Sequence, residues 1–429
     1  MHPPELTALD ANVTRLEYGA LYTDFVKTSR GLLRVGSMPD ISKLTYRLNL
    51  LEDAVVLPEW SVNQAGDNYT GEEFVLWRAQ VYGSRPKKYI GSFQNVEIMH
   101  HNLDAIFSYY FDEKRIRIVR KPWLKQWVLK KGTCGVYRDH DLEIRFTSGN
   151  LAVYDHGRAL YDGLAFSPAT KTDTIINEVL SRIQRDGRHR DHLEITAVGN
   201  GNGFVGTTSS FLLRFGRKAL WIDPCAQPAH ALACIGVHWD DVTDILISHN
   251  HEDHIAGFSA CLKRCIDHRK KLRLISAPSI YRVLCEQYSR LFPDMKNHVD
   301  FNAIVPGKPI SLDGVMIEAR WNHHFLPYGT LGLKFEAGGR KWGFSGDTKF
   351  DTGINRFLKR PELYESWFCD CDLVFHEVDF EHPHGVHSYW KEVAKIQDAI
   401  QGKMLVYHTA AKNNPPLPLV RKGHVYRIS

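Results

Sequence analysis

The chain has 429 residues, of which 43% are hydrophobic and 24% charged, and its formal net charge is +5. This length exceeds that of most single domains, and the hydrophobic content is enough to bury two cores. So small a positive charge argues against a chain that binds polyanions through net charge alone. The first residues lack the positively charged and apolar regions that mark a signal peptide. The sequence also shows no apolar run of about 18 residues, so no membrane span is predicted.

The eight cysteines show neither a Cys-x-x-Cys pair nor the density of a disulfide scaffold. This usage predicts a reduced, cytoplasmic protein. Cys261 and Cys265 lie one helical turn apart, and Cys369 and Cys371 are separated by one residue, but ordinary buried thiols explain both pairs. No structural zinc site is predicted.

Residues 1–185 predict a β-rich or mixed domain. Strand-like segments occur at residues 54–57, 73–82, 116–119 and 142–146. A predicted helix over residues 173–186 leads into a polar segment, so we place a domain boundary near residue 185 and a second domain at 186–429. We recognise neither a family nor an internal repeat in the first domain. Because it holds no convincing cluster of metal ligands, we expect it to serve substrate selection or oligomerisation, with a homodimer left open.

Residues 114–131 of this domain carry lysines and arginines beside Trp123 and Trp127, with no acidic residue. Basic side chains next to aromatic rings suit a phosphate backbone with stacked bases. A solvated strand-and-helix face whose tryptophans belong to the core is the favoured interpretation.

The second domain contains a dense group of candidate ligands, His249-Asn250-His251-Glu252-Asp253-His254. A short apolar run at residues 244–248 precedes it and predicts a buried strand that ends in a functional loop. With this spacing, His249 and His251 can meet at one metal ion while Asp253 and His254 point to a second. Nitrogen and carboxylate ligands of this kind suit Zn²⁺ or Mn²⁺.

Three later segments also end in candidate ligands. His323 and His324 follow a predicted strand at 315–321, and period-two alternation through that strand favours His323. Asp347 lies in a Gly-Asp-Thr segment after residues 341–345, and His408 follows residues 403–407.

This ordered set resembles the signature of the metallo-β-lactamase-fold hydrolases. The strand at 193–198, the glycine-rich loop at 199–203 and the strands at 209–215 and 219–224 resemble the family's frame, so the resemblance covers residues 192–429. It implies an αββα sandwich with two divalent ions, zinc or manganese. The implied ligands are His249, His251 and His323 for the first ion, Asp253, His254 and His408 for the second, and Asp347 as the bridge.

Within that fold, residues 375–378 and 385–388 resemble the paired His-Glu-Ala-Thr and His-Ser-Thr segments of the RNase Z group and related cyclic phosphodiesterases. The resemblance implies hydrolysis of a phosphodiester by metal-bound hydroxide. It implies that His387 protonates the leaving oxygen and that Glu377 orients His387, with Asp253 as a further catalytic residue. The alternative for His387 is a surface histidine next to a helix that Ser388 caps.

The chain departs from RNase Z in showing no long basic arm between Asp253 and His323 or between His323 and Asp347. Residues 331–345 predict a single hairpin with its turn at 338–339. This layout resembles the phosphodiesterases of cyclic nucleotides and cyclic ribose phosphates, although RNA and DNA substrates stay open. A carbonyl hydrolase, such as a thioesterase or lactonase, and a non-catalytic nucleotide-binding module are the alternative functions.

Overall fold

The structure is a computed structural model that describes residues 4–57, 61–63, 65–69, 87–110, 124–129, 135–147, 150–164, 171–206, 208–324, 329–350, 353, 357, 367–409 and 414–428. The predicted strands at 73–82 and 116–119 lie outside the described residues, as do residues 114–123 and 130–131 of the basic segment. The predicted strands at 54–57 and 142–146 are found in the structure.

The amino-terminal half contains two β-sheets. The first has seven strands in chain order: β1 Glu5–Ala8, β2 Val13–Tyr18, β3 Leu21–Thr28, β4 Gly31–Val35, β5 Ala54–Val56, β6 Lys87–Ser92 and β7 Leu124–Leu129. The second is antiparallel: β8 Gly135–Asp139, β9 Leu142–Thr147, β10 Asn150–Asp155 and β11 Arg158–Leu164. Among the described residues of this half, three helices accompany them: α1 Ile41–Arg47, α2 Phe93–Tyr110 and α3 Lys171–Arg182.

These two sheets pack face to face because each offers one apolar face. On β9, Leu142, Ile144 and Phe146 are buried at alternate positions, as period-two patterning requires. They share a hydrophobic core with Val26 and Leu33 of the first sheet. The expectation of a β-rich or mixed amino-terminal domain is confirmed.

The carboxy-terminal half is a larger sandwich. One sheet has seven strands: β12 Arg190–Gly199, β13 Ser210–Gly216, β14 Lys218–Ile222, β15 Asp244–Leu246, β16 Leu272–Ser276, β17 Val299–Ala303 and β24 Val425–Ile428. The other has six: β18 Ile310–Leu312, β19 Val315–Asn322, β20 Thr330–Ala337, β21 Arg340–Phe344, β22 Leu373–Glu377 and β23 Lys403–Tyr407. The α-helices described in this half are α4 Pro228–Ile235, α5 Glu252–Ile255, α6 Phe258–Asp267, α7 Pro278–Tyr288, α8 Met295–His298 and α9 Trp390–Gln397.

Aromatic rings fill the space between these two sheets. The ring centroids of Phe211 on β13 and Phe344 on β21 lie 5.4 Å apart. Helices cover the outer faces: Val393 of α9, for example, packs with Val374 and Val406 on the side of the second sheet that faces away from Phe211. Each sheet therefore buries both faces, and the αββα sandwich predicted for this half is confirmed.

The two halves repeat one pattern of strand pairing. In the first, β1 to β4 pair antiparallel and β4 to β7 pair parallel. In the second, β24, β12, β13 and β14 pair antiparallel, and β14 to β17 pair parallel. The backbone agrees in detail: Gly36 N donates to Val56 O and Asp223 N to Leu246 O, both at 2.9 Å, and Gly36 and Asp223 both have positive φ. This likeness between the halves was not predicted from the sequence.

The halves contact each other through matching elements. α1 and α4 each follow the fourth strand of the pattern, and each starts from a left-handed residue, Asp40 or Gln227. Asp40 N donates to Glu252 Oε1 of the second half at 2.9 Å, and Gln227 N donates to Asp67 Oδ1 of the first half at 3.2 Å. The interface is therefore reciprocal, in the manner of a symmetric dimer. The predicted boundary near residue 185 lies between α3 and β12.

Candidate metal centre

The candidate ligands lie where strands end, at one edge of the carboxy-terminal sandwich. The His249–His254 segment follows β15, and His324, Asp347 and His408 follow β19, β21 and β23. Strands fix the direction of the chain up to these points, so side chains from distant parts of the sequence meet.

Five overlapping groups of candidate ligands form there among the described residues, and two of them are described first. The first holds His249, His251, His324 and Asp347, and the second holds Asp253, His254 and His408, with ligand atoms within 4.8 Å of one another in each group. Asp347 lies between them: its Oδ1 is 3.3 Å from His254 Nε2, and its Oδ2 is 3.2 Å from His408 Nε2 and 4.0 Å from His249 Nε2. Asp347 therefore lies between the two groups, and the division into two metal sites stays a prediction.

His324 takes the place that the sequence analysis assigned to His323. Its Nε2 is 3.2 Å from His251 Nδ1, and its Nδ1 is 3.0 Å from the carbonyl oxygen of Val386. His323 belongs to neither group, and its carbonyl oxygen accepts a hydrogen bond from Lys349 N. The preference for His323 is corrected because β19 ends at Asn322, so the strand's alternation does not extend to the histidines.

The site has the properties of a divalent metal centre. Nε2 of His249, Nε2 of His254 and both carboxylate oxygens of Asp347 are buried without a hydrogen-bond partner in the described part of the chain. Such atoms are costly to bury alone, and a cation between them would satisfy all four. Burial lowers the pKa of His324 and of His408 to about 3, so both rings are in the neutral form that binds metals.

A second layer of hydrogen bonds fixes the rings. Asp223 Oδ2 lies 2.9 Å from His254 Nδ1 and accepts from Ser248 Oγ at 2.6 Å. Ser209 Oγ lies 2.9 Å from Nδ1 of His408. Each contact turns the other ring nitrogen toward the centre, as partners of metal-binding histidines do.

Asp223 and Ser209 were not predicted from the sequence. The one signal for Asp223 is its position near the end of the predicted strand at residues 219–224. His408 and Asp223 also share a left-handed backbone, with φ of 64° and 48°, a conformation that non-glycine residues adopt mainly where the surroundings enforce it.

His387 and Glu377 form a hydrogen-bonded pair beside this centre. Nδ1 of His387 is 2.9 Å from Glu377 Oε2 and 3.9 Å from Asp347 Oδ2. Glu377 is fully buried and also accepts from Thr348 N at 2.6 Å, whereas the His387 side chain is 22% exposed. His387 is therefore the member of the pair that a substrate can reach.

Charge places the shared proton on the histidine. Burial alone would lower the pKa of His387, but the charge of Glu377 and its hydrogen bond outweigh burial and raise that pKa to about 9. Burial raises the pKa of Glu377 to about 7, although the charge of His387 and its hydrogen bond oppose that rise.

The alternative for His387, a surface histidine beside a helix capped by Ser388, does not match the structure. Ser388 Oγ donates to the carbonyl oxygen of Thr348 at 2.8 Å, and Tyr389 is the N-cap of α9 without a side-chain hydrogen bond.

Fold and site together define a protein of the metallo-β-lactamase fold with a candidate metal centre at one edge, as the sequence resemblance implied. The chain belongs to the family of the anti-Pycsar protein Apyc1, whose model matches residues 193–424, more than half of its length.

Two relatives are similar in sequence. The cGMP-dependent 3′,5′-cGMP phosphodiesterase A of Dictyostelium discoideum is 22% identical over 254 residues, which cover 55% of this chain and 28% of that protein. The Ribonuclease Z of Crocosphaera subtropica (strain ATCC 51142 / BH68) is 28% identical over 124 residues, which cover 27% of this chain and 39% of that protein. The matches therefore span well under two thirds of either relative.

Solved structures show weaker likeness. The metallo-β-lactamase-fold protein YhfI from Bacillus subtilis aligns with a TM-score of 0.45 at 18% identity, over 56% of this chain and 100% of that one. A long-form RNase Z from yeast aligns with a TM-score of 0.41 at 12% identity, over 97% of this chain and 71% of that one.

Two further observations concern membrane-spanning helices and cysteines. Among the described residues, no helix combines the length and apolar character needed to cross a membrane. The seven cysteines that the structure describes are free thiols.

Proposed function

We propose that the chain is a dinuclear metal-dependent hydrolase of a nucleotide phosphodiester, with zinc as the metal and manganese as the alternative. The observation that carries the proposal is the His387–Glu377 pair beside Asp347. A phosphodiester has a poor alkoxide leaving group that needs a proton, and a protonated histidine is suited to supply it. A thioesterase or lactonase has less need of such a group.

His249, His251 and His324 would hold one ion, Asp253, His254 and His408 the other, and Asp347 would contact both. Ions bound there would polarise the phosphoryl group and lower the pKa of a water molecule that attacks phosphorus. The pair acts on the opposite side of the reaction. Because Nδ1 of His387 bonds to Glu377, its Nε2 is the atom left to give a proton to the leaving oxygen.

The surroundings hold this acid in place. Lys349 Nζ donates to the carbonyl oxygens of Pro383 at 2.9 Å and of His387 at 3.1 Å, which ties down the segment that carries the histidine. Phe350 N donates to Ser388 Oγ at 2.8 Å on the same segment. Positioning of this kind is what makes a proton donor effective.

A cyclic nucleotide is the substrate class that we favour. The name of the Dictyostelium relative supports this class. The sequence also lacks the long arm of RNase Z: all of residues 254–323 are described, and they form α6, α7, α8 and β16 to β19 with short connections. Such a compact layout suits a small substrate.

The test is a screen of purified protein loaded with zinc or manganese. Substrates would be 3′,5′-cyclic nucleotides, linear RNA, single-stranded DNA and bis-p-nitrophenyl phosphate, beside a panel of thioesters and lactones. We expect hydrolysis of diesters, fastest for a cyclic nucleotide. Turnover of thioesters or lactones alone would overturn the proposal, and two bound ions without any turnover would favour a nucleotide-binding module.

Metal analysis belongs to the same experiment, and we expect about two ions per chain. The cytoplasmic location and the homodimer suggested by the sequence stay predictions. The free thiols support a cytoplasmic location. The two halves already contact each other within one chain, so none of the contacts described above requires a second chain.

A further inference from the structure

The metal centre receives a side chain from the amino-terminal half. Lys43 of α1 places its Nζ 2.5 Å from Oδ1 of Asp253, a member of the second ligand group. The Lys43 side chain is 12% exposed and that of Asp253 is 3% exposed. Water therefore screens this ion pair less than a surface pair.

The chain is built to bring Lys43 there. Glu252, the neighbour of Asp253, accepts a hydrogen bond at 2.9 Å from the backbone of Asp40, which begins α1. Gly203 allows the close approach, because a Cβ at this position would lie 2.6 Å from Lys43 Cδ and 2.8 Å from Asp40 Oδ1. Gly203 N also donates to Asp253 Oδ2 at 3.3 Å, so both oxygens of Asp253 are held.

We propose that Lys43 is a positioning residue of the metal centre, which holds Asp253 by one oxygen and adds a fixed positive charge next to the substrate site. The proposal rests on the proposed function for its substrate, an anionic phosphodiester, but not for its effect on metal binding. It gives the amino-terminal half a part in the centre itself, beyond the substrate selection expected from the sequence.

Two consequences of this charge have opposite signs. An ammonium group beside Asp253 competes with a metal ion for the carboxylate and repels the ion, so its removal strengthens metal binding. The same charge attracts an anionic substrate, so its removal weakens substrate binding. If Lys43 only supported the structure, its removal would loosen the site and weaken both metal binding and substrate binding.

The first experiment measures metal affinity without any turnover. Wild-type protein, Lys43→Met and Lys43→Arg are titrated with Zn²⁺ against a chromophoric chelator, and the Co²⁺-loaded forms are compared by absorption spectra. We expect Lys43→Met to bind one of the two ions about 10-fold more tightly, because the loss of a nearby positive charge removes its repulsion of the cation. The other ion keeps its affinity, the Co²⁺ bands of one site change, and Lys43→Arg restores wild-type behaviour.

His101→Ala is the matched control, because His101 also joins the two halves, through Glu286 O at 2.7 Å, without touching Asp253. Equal metal affinity in Lys43→Met and wild type, or weaker binding in Lys43→Met, overturns the proposal. Should Lys43→Met fail to fold, Gly203→Ala displaces Lys43 instead and is expected to change metal affinity in the same direction. A folded Gly203→Ala protein with wild-type affinity at both sites also overturns it.

The second experiment compares KM with kcat on an anionic diester. For Lys43→Met we expect KM to rise about 10-fold with a smaller change in kcat, in keeping with a lost charge contact. An unchanged KM removes the substrate part of the proposal. If no diester is cleaved even by wild-type protein, the proposed function fails, while the metal titration still decides the role of Lys43.

Discussion

The two halves of the molecule share a pattern of strand pairing but differ at the ends of the strands. After β15 the chain reads His249-Asn250-His251, whereas the residues at the same distance from the end of β5 are Glu59, Trp60 and Ser61. Directly after β14 comes Asp223, which supports His254, and directly after β4 comes Gly36. The hydrophobic pattern thus specifies the sheets, and a few residues beyond it decide whether a site exists.

The amino-terminal half supplies contacts rather than a ligand group of its own. Among its described residues no metal-binding group occurs, yet the half supplies Asp67 to α4 and Lys43 to Asp253. Its second sheet has four described strands, while the other half continues with β22 and β23, which carry Glu377 and precede His408. The candidate metal ligands and Glu377 therefore all lie in the carboxy-terminal half, and the amino-terminal half contributes contacts to it.

The largest expected effect follows from removing the ligand that both groups share. Asp347→Ala should cost at least one bound ion and lower phosphodiesterase activity by about 10⁴-fold, because metal ions supply several kcal/mol of transition-state stabilisation. Metal content and turnover are measured on the folded protein. The matched control is Asp162→Ala on β11, the strand that occupies the place of β21, and this variant should keep both ions. Full retention of both ions and of activity in Asp347→Ala would refute the bridging assignment.

Much of this site was predictable because its ligands are consecutive or follow strands in a fixed order. His249, His251, Asp253, His254, Asp347 and His408 all come together as the sequence predicts. The choice between His323 and His324 failed because it depended on where β19 ends. Asp223, Ser209 and Lys43 were missed because each acts through a contact with a residue far away in the chain, which the sequence around it does not show. The similar strand pairing of the two halves was not predicted for a related reason: such pairing follows from apolar patterning, which many sequences satisfy.

A second effect tests the part of the site that has no counterpart in the other half. His387→Ala should lower kcat by about 10²- to 10⁴-fold with both ions retained, the usual contribution of a positioned proton donor. The loss should be much smaller on a nitrophenolate leaving group, which needs no proton. His382→Ala, on the same segment but largely exposed, serves as the control and should keep wild-type activity. An equal loss on both kinds of leaving group would favour phosphate binding over acid catalysis.

The third effect concerns Asp223, which has the position after β14 that Gly36 has after β4 in the amino-terminal half. Asp223→Asn keeps the size of the side chain but removes the charge that orients His254, so metal affinity should fall by about 10- to 100-fold. Competition with a chelator measures it. Ser209→Ala should weaken metal binding through His408 in the same way. If both variants bind both ions with wild-type affinity, the second layer does not tune the centre.

A fourth effect concerns pH. The charge of Glu377 raises the pKa of His387, and the acid form of His387 is lost as pH rises through that pKa. Glu377→Gln removes the charge, which lowers the pKa of His387, so the basic limb of the kcat profile should move to lower pH by about 1 to 3 units. Profiles of kcat against pH for both proteins measure the shift. A limb that does not move, or moves to higher pH, would contradict the role of Glu377.

The smallest effect tests the supporting half. α2 follows β6 in the amino-terminal half, and α7 follows β16, the corresponding strand of the other half. The two helices pack against each other across the interface. There His101 Nε2 lies 2.7 Å from Glu286 O and 3.0 Å from Ser289 Oγ. His101→Ala should lower the free energy of unfolding by about 0.5 to 1.5 kcal/mol, the usual net contribution of a hydrogen bond, and leave metal content and kcat unchanged. Denaturant unfolding and metal analysis check this. A large loss of activity without a loss of stability would mean that the whole interface, and not Lys43 alone, transmits to the metal centre, and the division into a supporting and a catalytic half would no longer hold.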